Sequence, residues 1–349
     1  MQARPSDFDP RICITAQHRD LLDQVLDVFR VVPHHDLDLM LPGQTLFQST
    51  GRILTALEAV LMAERPHLVL VQGDTTTTMA GALASFYARM PVGHVEAGLR
   101  TGDPGQPFPE EMNRLLTTRL ASIHFAPTKW AADNLRREGV SAEAIAVTGN
   151  TGIDAVLHVT RALETGAIQP RSWSWLDASR KLILVTAHRR ENFGSGIEQL
   201  CEALAELAVR PDVQIAFPVH PNPNVEDPVS QRLGGHRNIQ LLKPLPYVDF
   251  VDLMRRAYLL LSDSGGIQEE APSLGKPVLI LRNTTERPEA VDAGTAALVG
   301  TQRESIVNAT AYLLDNPDEY RTRSTRHNPF GDGGAASRIS DLILSFQTK

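Results

Sequence analysis

Short apolar runs recur along this chain, and stretches with helical spacing fill the gaps between them; no other feature limits its fold as much. The first half carries ICIT (12–15), LVLVQ (68–72), VGHVEA (92–97), IHFAP (123–127) and IAVTG (145–149). Between them lie segments such as TTTTMAGALASFYARM (75–90). Runs this short and apolar fit strands buried on both faces, and such strands alternating with helices are the texture of parallel α/β sheets. After Gly149-Asn150-Thr151 the pattern loosens, and PRSWSWLDASRK (170–181) reads as a link between domains. The alternation resumes with LILVTA (182–187), VQIAFPV (213–219), IQLLKPL (239–245), YLLLSDS (258–264), VLILR (278–282) and AALVG (296–300), and ASRISDLILSF (336–346) forms a last helix. The expectation is two doubly wound Rossmann-like α/β domains with a cleft between them. They span residues 1–168 and 169–330, with a C-terminal helix in 331–349 packing back on the first domain.

Composition removes several classes. A net charge of −7 over 349 residues argues against a nucleic-acid binder. Cys13 and Cys201 are far apart, which excludes a disulfide scaffold and a cysteine-type zinc site and fits a reducing cytosol. No apolar run approaches the roughly 18 residues that span a bilayer, and MQARPSDFDP has no apolar signal segment. The expectation is a soluble cytoplasmic protein with no membrane contact. HExxH and carboxylate clusters at ligand spacing are absent, so no metal is expected. Neither GxxxxGK[ST] nor a GxGxxG after the first strand is found, so neither a P-loop nor a nicotinamide site is visible. The start is unusual, because doubly wound domains normally open on a strand that becomes central. Here RICIT (11–15) follows only a polar, proline-containing stub. Either the domain begins unusually or its first strand lies upstream of Met1.

Open α/β sheets bind ligands outside the carboxyl ends of their strands. LVLVQ runs into Gly73-Asp74 and a threonine run, and VGHVEA ends near Glu96. LILVTA runs into His188-Arg189-Arg190, VQIAFPV into His220, and YLLLSDS into Ser264-Gly265-Gly266. Asp74 either caps the helix that opens at the threonines or faces a ligand. Glu96 ends an apolar strand, where a carboxylate is costly unless used. Glu110 and Glu111 follow Pro109 at a helix start, where acids are favoured without any function. That bland reading holds for one of the two, and His94 reads as packing or support. In SDSGGIQEEAPSLGKP (262–277) a strand stops at two glycines and a helix begins, an arrangement that suits phosphate, and Glu269 or Glu270 has the chemistry to accept both hydroxyls of a ribose. His188 between a strand end and two arginines is a second candidate anion site. Phe250 either packs in a helix core or stacks on a base.

Seven motifs lie in one order: QGDTTTT, HVEAGLRTGD, PEEMNR, AHRRENFG, PVHPNPNV, DSGGIQEEAPSLGKP and TTERPEAV. Together with NPFGDGGAASRI near the end, they resemble the non-hydrolysing UDP-N-acetylglucosamine 2-epimerases from about residue 11 onward. The resemblance implies a GT-B-like fold, a homodimer, and interconversion of UDP-GlcNAc and UDP-ManNAc with no redox cofactor and no metal. It implies elimination of UDP to 2-acetamidoglucal and re-addition, to supply precursors of cell-surface polysaccharide. Asp74, Glu96 and Glu110 match the family's catalytic acids, which leaves Glu111 and Asp103 with a solvated reading; Arg114 matches its EExNR arginine and His188 a histidine acting at the pyrophosphate. Ser264, Gly265, Gly266 and Arg287 match its phosphate binders, Glu270 its ribose contact and Phe250 its uracil contact. Gln17, Gln44 and His220 resemble part of a site where some members bind a second UDP-GlcNAc as activator. The chain departs from the family at its start, where a strand and a GTRPEAIK-like loop are expected; the expected cause is a misplaced start codon or a truncation. Other readings are an epimerase of a modified UDP-sugar such as a diacetamido uronic acid, a hydrolysing epimerase, a catalytically dead UDP-sugar binder, and a GT-B glycosyltransferase.

Overall fold

The structure is a computed structural model that describes residues 1, 4–16, 19–41 and 43–346. Its internal contacts divide it into two compact units, residues 1–151 with 333–349 and residues 152–332. The boundary expected at 168/169 lies one helix downstream of that division.

Unit 1 opens with β1 (Cys13–Ile14), α1 (Arg19–Val28), β2 (His35–Asp36) and α2 (Leu46–Glu64). It continues through β3 (Val69–Gln72), α3 (Thr76–Tyr87), β4 (Val92–Val95), α4 (Glu110–Leu120), β5 (Ile123–Ala126), α5 (Lys129–Arg137) and β6 (Ile145–Val147). Helix α6 (Thr151–Glu164) leads into unit 2. The strands β3-β4-β5-β6 form one parallel sheet in chain order, and β1-β2 form a separate parallel pair. No described strand pairs with the outer edge of β3. Thr15 and Thr77 hydroxyls, 3.0 Å apart, join the end of β1 to α3. β4 and β5 are buried along their whole length, as their apolar runs require.

Caps set the helix starts. Thr45 and Gln48 form a reciprocal capping box on α2, the Thr45 hydroxyl accepting from Gln48 N and the Gln48 side chain from Thr45 N. α3 is capped by Thr75, whose hydroxyl accepts from Thr78 N at 3.2 Å.

Unit 2 continues with β7 (Lys181–Thr186), α7 (Ser195–Leu207), β8 (Val213–Pro218), α8 (Pro223–Leu233), β9 (Ile239–Leu242) and α9 (Tyr247–Arg256). Then come β10 (Leu259–Ser262), α10 (Gly265–Glu270), β11 (Val278–Ile280), α11 (Pro288–Asp292), β12 (Ala296–Leu298), α12 (Arg303–Asp315) and α13 (Pro317–Ser324). Its parallel sheet has the order β12-β11-β10-β7-β8-β9. The order reverses at β7, so the crevice for a ligand lies at the carboxyl ends of β7 and β10. Ile183, Ile215, Phe217, Leu259 and Leu261 make the strand layer of its core, covered by Ile197 and Leu204 of α7. The last helix, α14 (Ala335–Ser345), returns to unit 1, where Ile339 packs with Val95, Ile123 and Phe125. Arg338 Nη1 donates to the Thr148 carbonyl at 3.1 Å, holding that helix against the end of β6.

Candidate active site

In unit 1 the acids gather at the ends of the neighbouring strands β3 and β4. Because Thr75 is the cap of α3, Asp74 is not spent on that task. Its carboxylate oxygen Oδ2 instead accepts from Arg114 Nη2 at 2.7 Å and Nε at 3.0 Å. Asn113, one turn into α4, donates to the Asp74 carbonyl at 2.9 Å, so α4 holds this residue by backbone and side chain together.

Glu96 leaves β4 with φ 66°, in the left-handed region that side chains other than glycine rarely adopt. Gly73, at φ 74°, faces it: a Cβ added there would stand 3.8 Å from Glu96 Oε2. The His94 side chain is fully buried, and its Nε2–H donates to the Gly73 carbonyl at 2.8 Å. Burial pulls its pKa down to about 4, so the ring is neutral and steadies the turn before Asp74. That is the supporting role expected for it.

Glu110, the first residue of α4, is half-buried, as is Asp74. Glu111 is the surprise. The family match leaves it in solvent, yet it is 1% exposed. Its Oε1 accepts from Thr101 N and Gly102 N at 3.1 Å, and its Oε2 from Arg114 Nη1 at 2.8 Å. One guanidinium therefore serves two carboxylates, and the loop after β4 is tied to the same helix. Asp103 is exposed, as expected, and accepts from Gly105 N at 2.8 Å. Arg100 is taken up by Glu138 at 2.7 Å.

In unit 2 the residues group around the switch point. His188 follows β7; its side chain is 41% exposed, and its Nδ1 lies 3.2 Å from Asp263 Oδ1. Its ring stacks on that of His220, with centroids 5.8 Å apart. Burial lowers the His188 pKa, Asp263 opposes this, and Arg189 and His220 lower it further. Of the neighbouring arginines, Arg190 is exposed and Arg189 pairs with Glu286 at 3.1 Å.

Ser264, Gly265 and Gly266 open α10 at the end of β10, where backbone N–H groups are free of helical partners. The glycines differ in purpose. A Cβ on Gly265 would overlap the Arg287 guanidinium, whereas one on Gly266 would meet only ordinary contacts near 3.9 Å. Gly265 thus makes room for the Arg287 side chain, where the motif alone suggests room for a phosphate. Arg287 is buried and pairs with Glu269 and, at 2.7 Å, with Glu286. Arg282 bridges Glu286 and Glu191, each at 2.6 Å. Burial pushes the Glu286 carboxyl up, and Arg287, Arg282 and Arg189 together overcome this and hold it at about 2.

With Glu269 committed to Arg287, Glu270 is the acid left for a ribose. Desolvation first, then the charge of Glu269, push its carboxyl up to about 8. Phe250 is half-buried on α9, whose buried face is Val251, Asp252, Leu253 and Met254, so Phe250 is not that helix's core anchor. Of the residues matched to an activator site, Gln17 lies outside the described residues. Gln44 has a buried Oε1 with no hydrogen-bond partner and lines a small cavity with Thr15, Leu39, Met40, Ser49 and Ile53.

The sequence profile of the family described as UDP-N-acetylglucosamine 2-epimerase matches residues 1–344. The chain belongs to the UDP-N-acetylglucosamine 2-epimerase family. It is 53% identical to the UDP-N-acetylglucosamine 2-epimerase of Escherichia coli over 341 residues, covering 96% of this chain and 91% of that one. Against the enzyme of that name from Salmonella typhimurium it is 53% identical, covering 97% and 92%. The crystal structure of UDP-GlcNAc 2-epimerase from Neisseria meningitidis bound to UDP-GlcNAc superposes with a TM-score of 0.91 at 46% identity, covering 96% of this chain and 92% of that one. The GT-B-like fold expected from the 2-epimerase motifs is therefore present. Within the family frame, sequence reasoning missed Glu111 and Asp263. The spacing of Glu111 and Arg114, one helical turn apart with Thr118 a turn further on, was the signal for the first.

Proposed function

We propose that this chain interconverts UDP-GlcNAc and UDP-ManNAc by eliminating UDP across C1–C2 and adding it back. Family membership across residues 1–344, joined to three half-buried acids at the strand and helix ends of one unit, carries this reading. The C2 proton of the sugar is not beside a carbonyl, so it becomes acidic only as the C1–O bond breaks and positive charge grows on the ring. UDP leaves with the bonding electrons, a carboxylate takes the C2 proton, and the C1=C2 bond of 2-acetamidoglucal forms. Return of UDP to C1 with proton delivery to the opposite face of C2 completes the exchange. Asp74, Glu96 and Glu110 supply the base and the acid, and Arg114 orients Asp74. His188, Arg287, the Ser264 hydroxyl and the backbone N–H groups of Gly265 and Gly266 receive the leaving diphosphate; Glu270 takes the ribose and Phe250 the uracil.

The same reading makes the protein a non-hydrolysing isomerase of the cytoplasm, supplying precursors of surface polysaccharide. Two free thiols, Cys13 and Cys201, suit that compartment. We assign a homodimer, supported by apolar side chains left exposed on adjoining helices: Phe47 and Met62 of α2, Phe86 and Tyr87 of α3, Met112 and Leu116 of α4. A second UDP-GlcNAc acting through Gln44 and His220 is the matching proposal for regulation.

The test is isotopic. In deuterium oxide, UDP-GlcNAc without added NAD or metal should yield UDP-ManNAc carrying deuterium at C2. Epimerised product lacking that deuterium rules out elimination. Free N-acetylmannosamine with UDP, seen by NMR, replaces this reading with a hydrolysing one.

A further inference from the structure

Asp263 has no assigned part in the reaction, yet three residues of the loop after β7 donate to its carboxylate. It is 0% exposed, directly after β10. Its Oδ2 accepts from His188 N at 2.9 Å, Arg189 N at 2.9 Å and Asn192 Nδ2 at 3.0 Å. Its Oδ1 stands 3.2 Å from His188 Nδ1. Asn192 is itself pinned to the Leu281 carbonyl at 3.1 Å. A carboxylate accepts only, so each of these contacts is a donor pointed at it. The imidazole nitrogen facing Asp263 must then carry hydrogen.

We propose that Asp263 is the positioning residue of His188: it holds the imidazole through Nδ1–H and the backbone through two N–H groups, and so presents Nε2 to the leaving diphosphate. The inference rests on the reading of His188 given above. Its chemical consequence is directional. When the diphosphate arrives, the proton that His188 takes up goes to Nε2, since Nδ1 already carries one. Nε2–H then donates a hydrogen bond to the phosphate oxygen on which charge develops as C1–O breaks, and that bond weakens as UDP returns to C1. The charged groups facing the ring are Asp263, at the end of β10, Arg189 in its own loop and His220 at the end of β8. Only the first favours the imidazolium, so loss of Asp263 leaves two groups that both oppose it.

The experiment uses the full-length protein labelled with ¹⁵N in its histidines, the His188 signals being assigned from the His188→Gln spectrum. Wild-type His188 is expected in the Nδ1–H tautomer at high pH; finding Nε2–H there overturns the proposal without any variant. In Asp263→Asn the tautomers should mix, the His188 titration should move to lower pH, and the alkaline limb of the kcat profile should move with it. At neutral pH kcat should fall about 100-fold while KM changes less than about threefold. An Asp263→Asn protein with a wild-type thermal midpoint and an unmoved kcat profile refutes the positioning role. If His188→Gln keeps full turnover, the assignment of His188 fails instead, and the NMR result for Asp263 stands apart from it.

Discussion

In unit 1 a single guanidinium, Arg114, serves Asp74 and Glu111, while Glu96 and Glu110 stand half-buried at adjoining element ends. In unit 2 the arginines Arg189, Arg282 and Arg287 face the glutamates Glu191, Glu269 and Glu286, each set engaging the other. The first arrangement shares one cation between two carboxylates on neighbouring elements. The second is balanced before any ligand arrives, so an incoming diphosphate has to be met by His188 and backbone N–H groups or has to draw Arg287 away from its partners. A carboxylate's function follows from what holds it, and similar residues next to one another are held differently.

The largest effects should separate neighbours in unit 1. Asp74→Asn, Glu96→Gln and Glu110→Gln are each expected to lower kcat by about 100-fold or more with UDP affinity, measured by calorimetry, nearly unchanged. Glu111→Gln should instead destabilise the fold by about 1–3 kcal/mol in urea titration, because Arg114 loses one of its two charged partners in the interior and keeps Asp74. If Glu111→Gln were as stable as wild type and Glu110→Gln were unfolded, the contrast drawn here would be reversed.

A smaller effect is expected in unit 2. Gly265→Ala pushes against the Arg287 guanidinium and should weaken UDP binding by about tenfold, equivalent to about 1.4 kcal/mol. Gly266→Ala, which meets only ordinary contacts near 3.9 Å, should bind nearly as wild type; equal losses at both positions would mean that the glycines serve the ligand alone.

The smallest is a pH effect at Glu270. Its carboxyl is raised in the fold from 4.5 to about 8, so the protonated form is the favoured one. The stability this contributes is fully present below pH 4.5 and is lost as pH rises through about 8. If the ionised form accepts the ribose hydroxyls, UDP affinity should rise severalfold between pH 7 and 9, and Glu270→Gln should flatten that rise. A flat wild-type profile removes Glu270 from the ribose contact.

Much of this was legible because strand ends carry the chemistry in such folds. LVLVQ, VGHVEA, LILVTA and YLLLSDS delivered Asp74, Glu96, His188 and Ser264 to the mouths of parallel sheets, as their patterns implied. What stayed hidden depended on contacts from distant segments. Glu110 and Glu111 look alike at a helix start; only the return of Thr101 and Gly102 onto the helix decides which is buried. Asp263 reads as the tail of a strand until the loop after β7 lays its N–H groups on it. Gly265 reads as a phosphate glycine until Arg287 arrives from further along the chain. The strand β2, with only His35 and Asp36, is too short for any periodicity to reveal.

Glu96 keeps a left-handed backbone, φ 66°, that would cost a glycine nothing and costs a glutamate roughly 1–3 kcal/mol. With the role proposed for Glu96, stability and turnover pull this position in opposite directions. A directed-evolution campaign that selects for heat resistance alone would be drawn toward glycine at residue 96 and would harvest sturdier, inert protein; any such screen of this chain needs a turnover assay in every round.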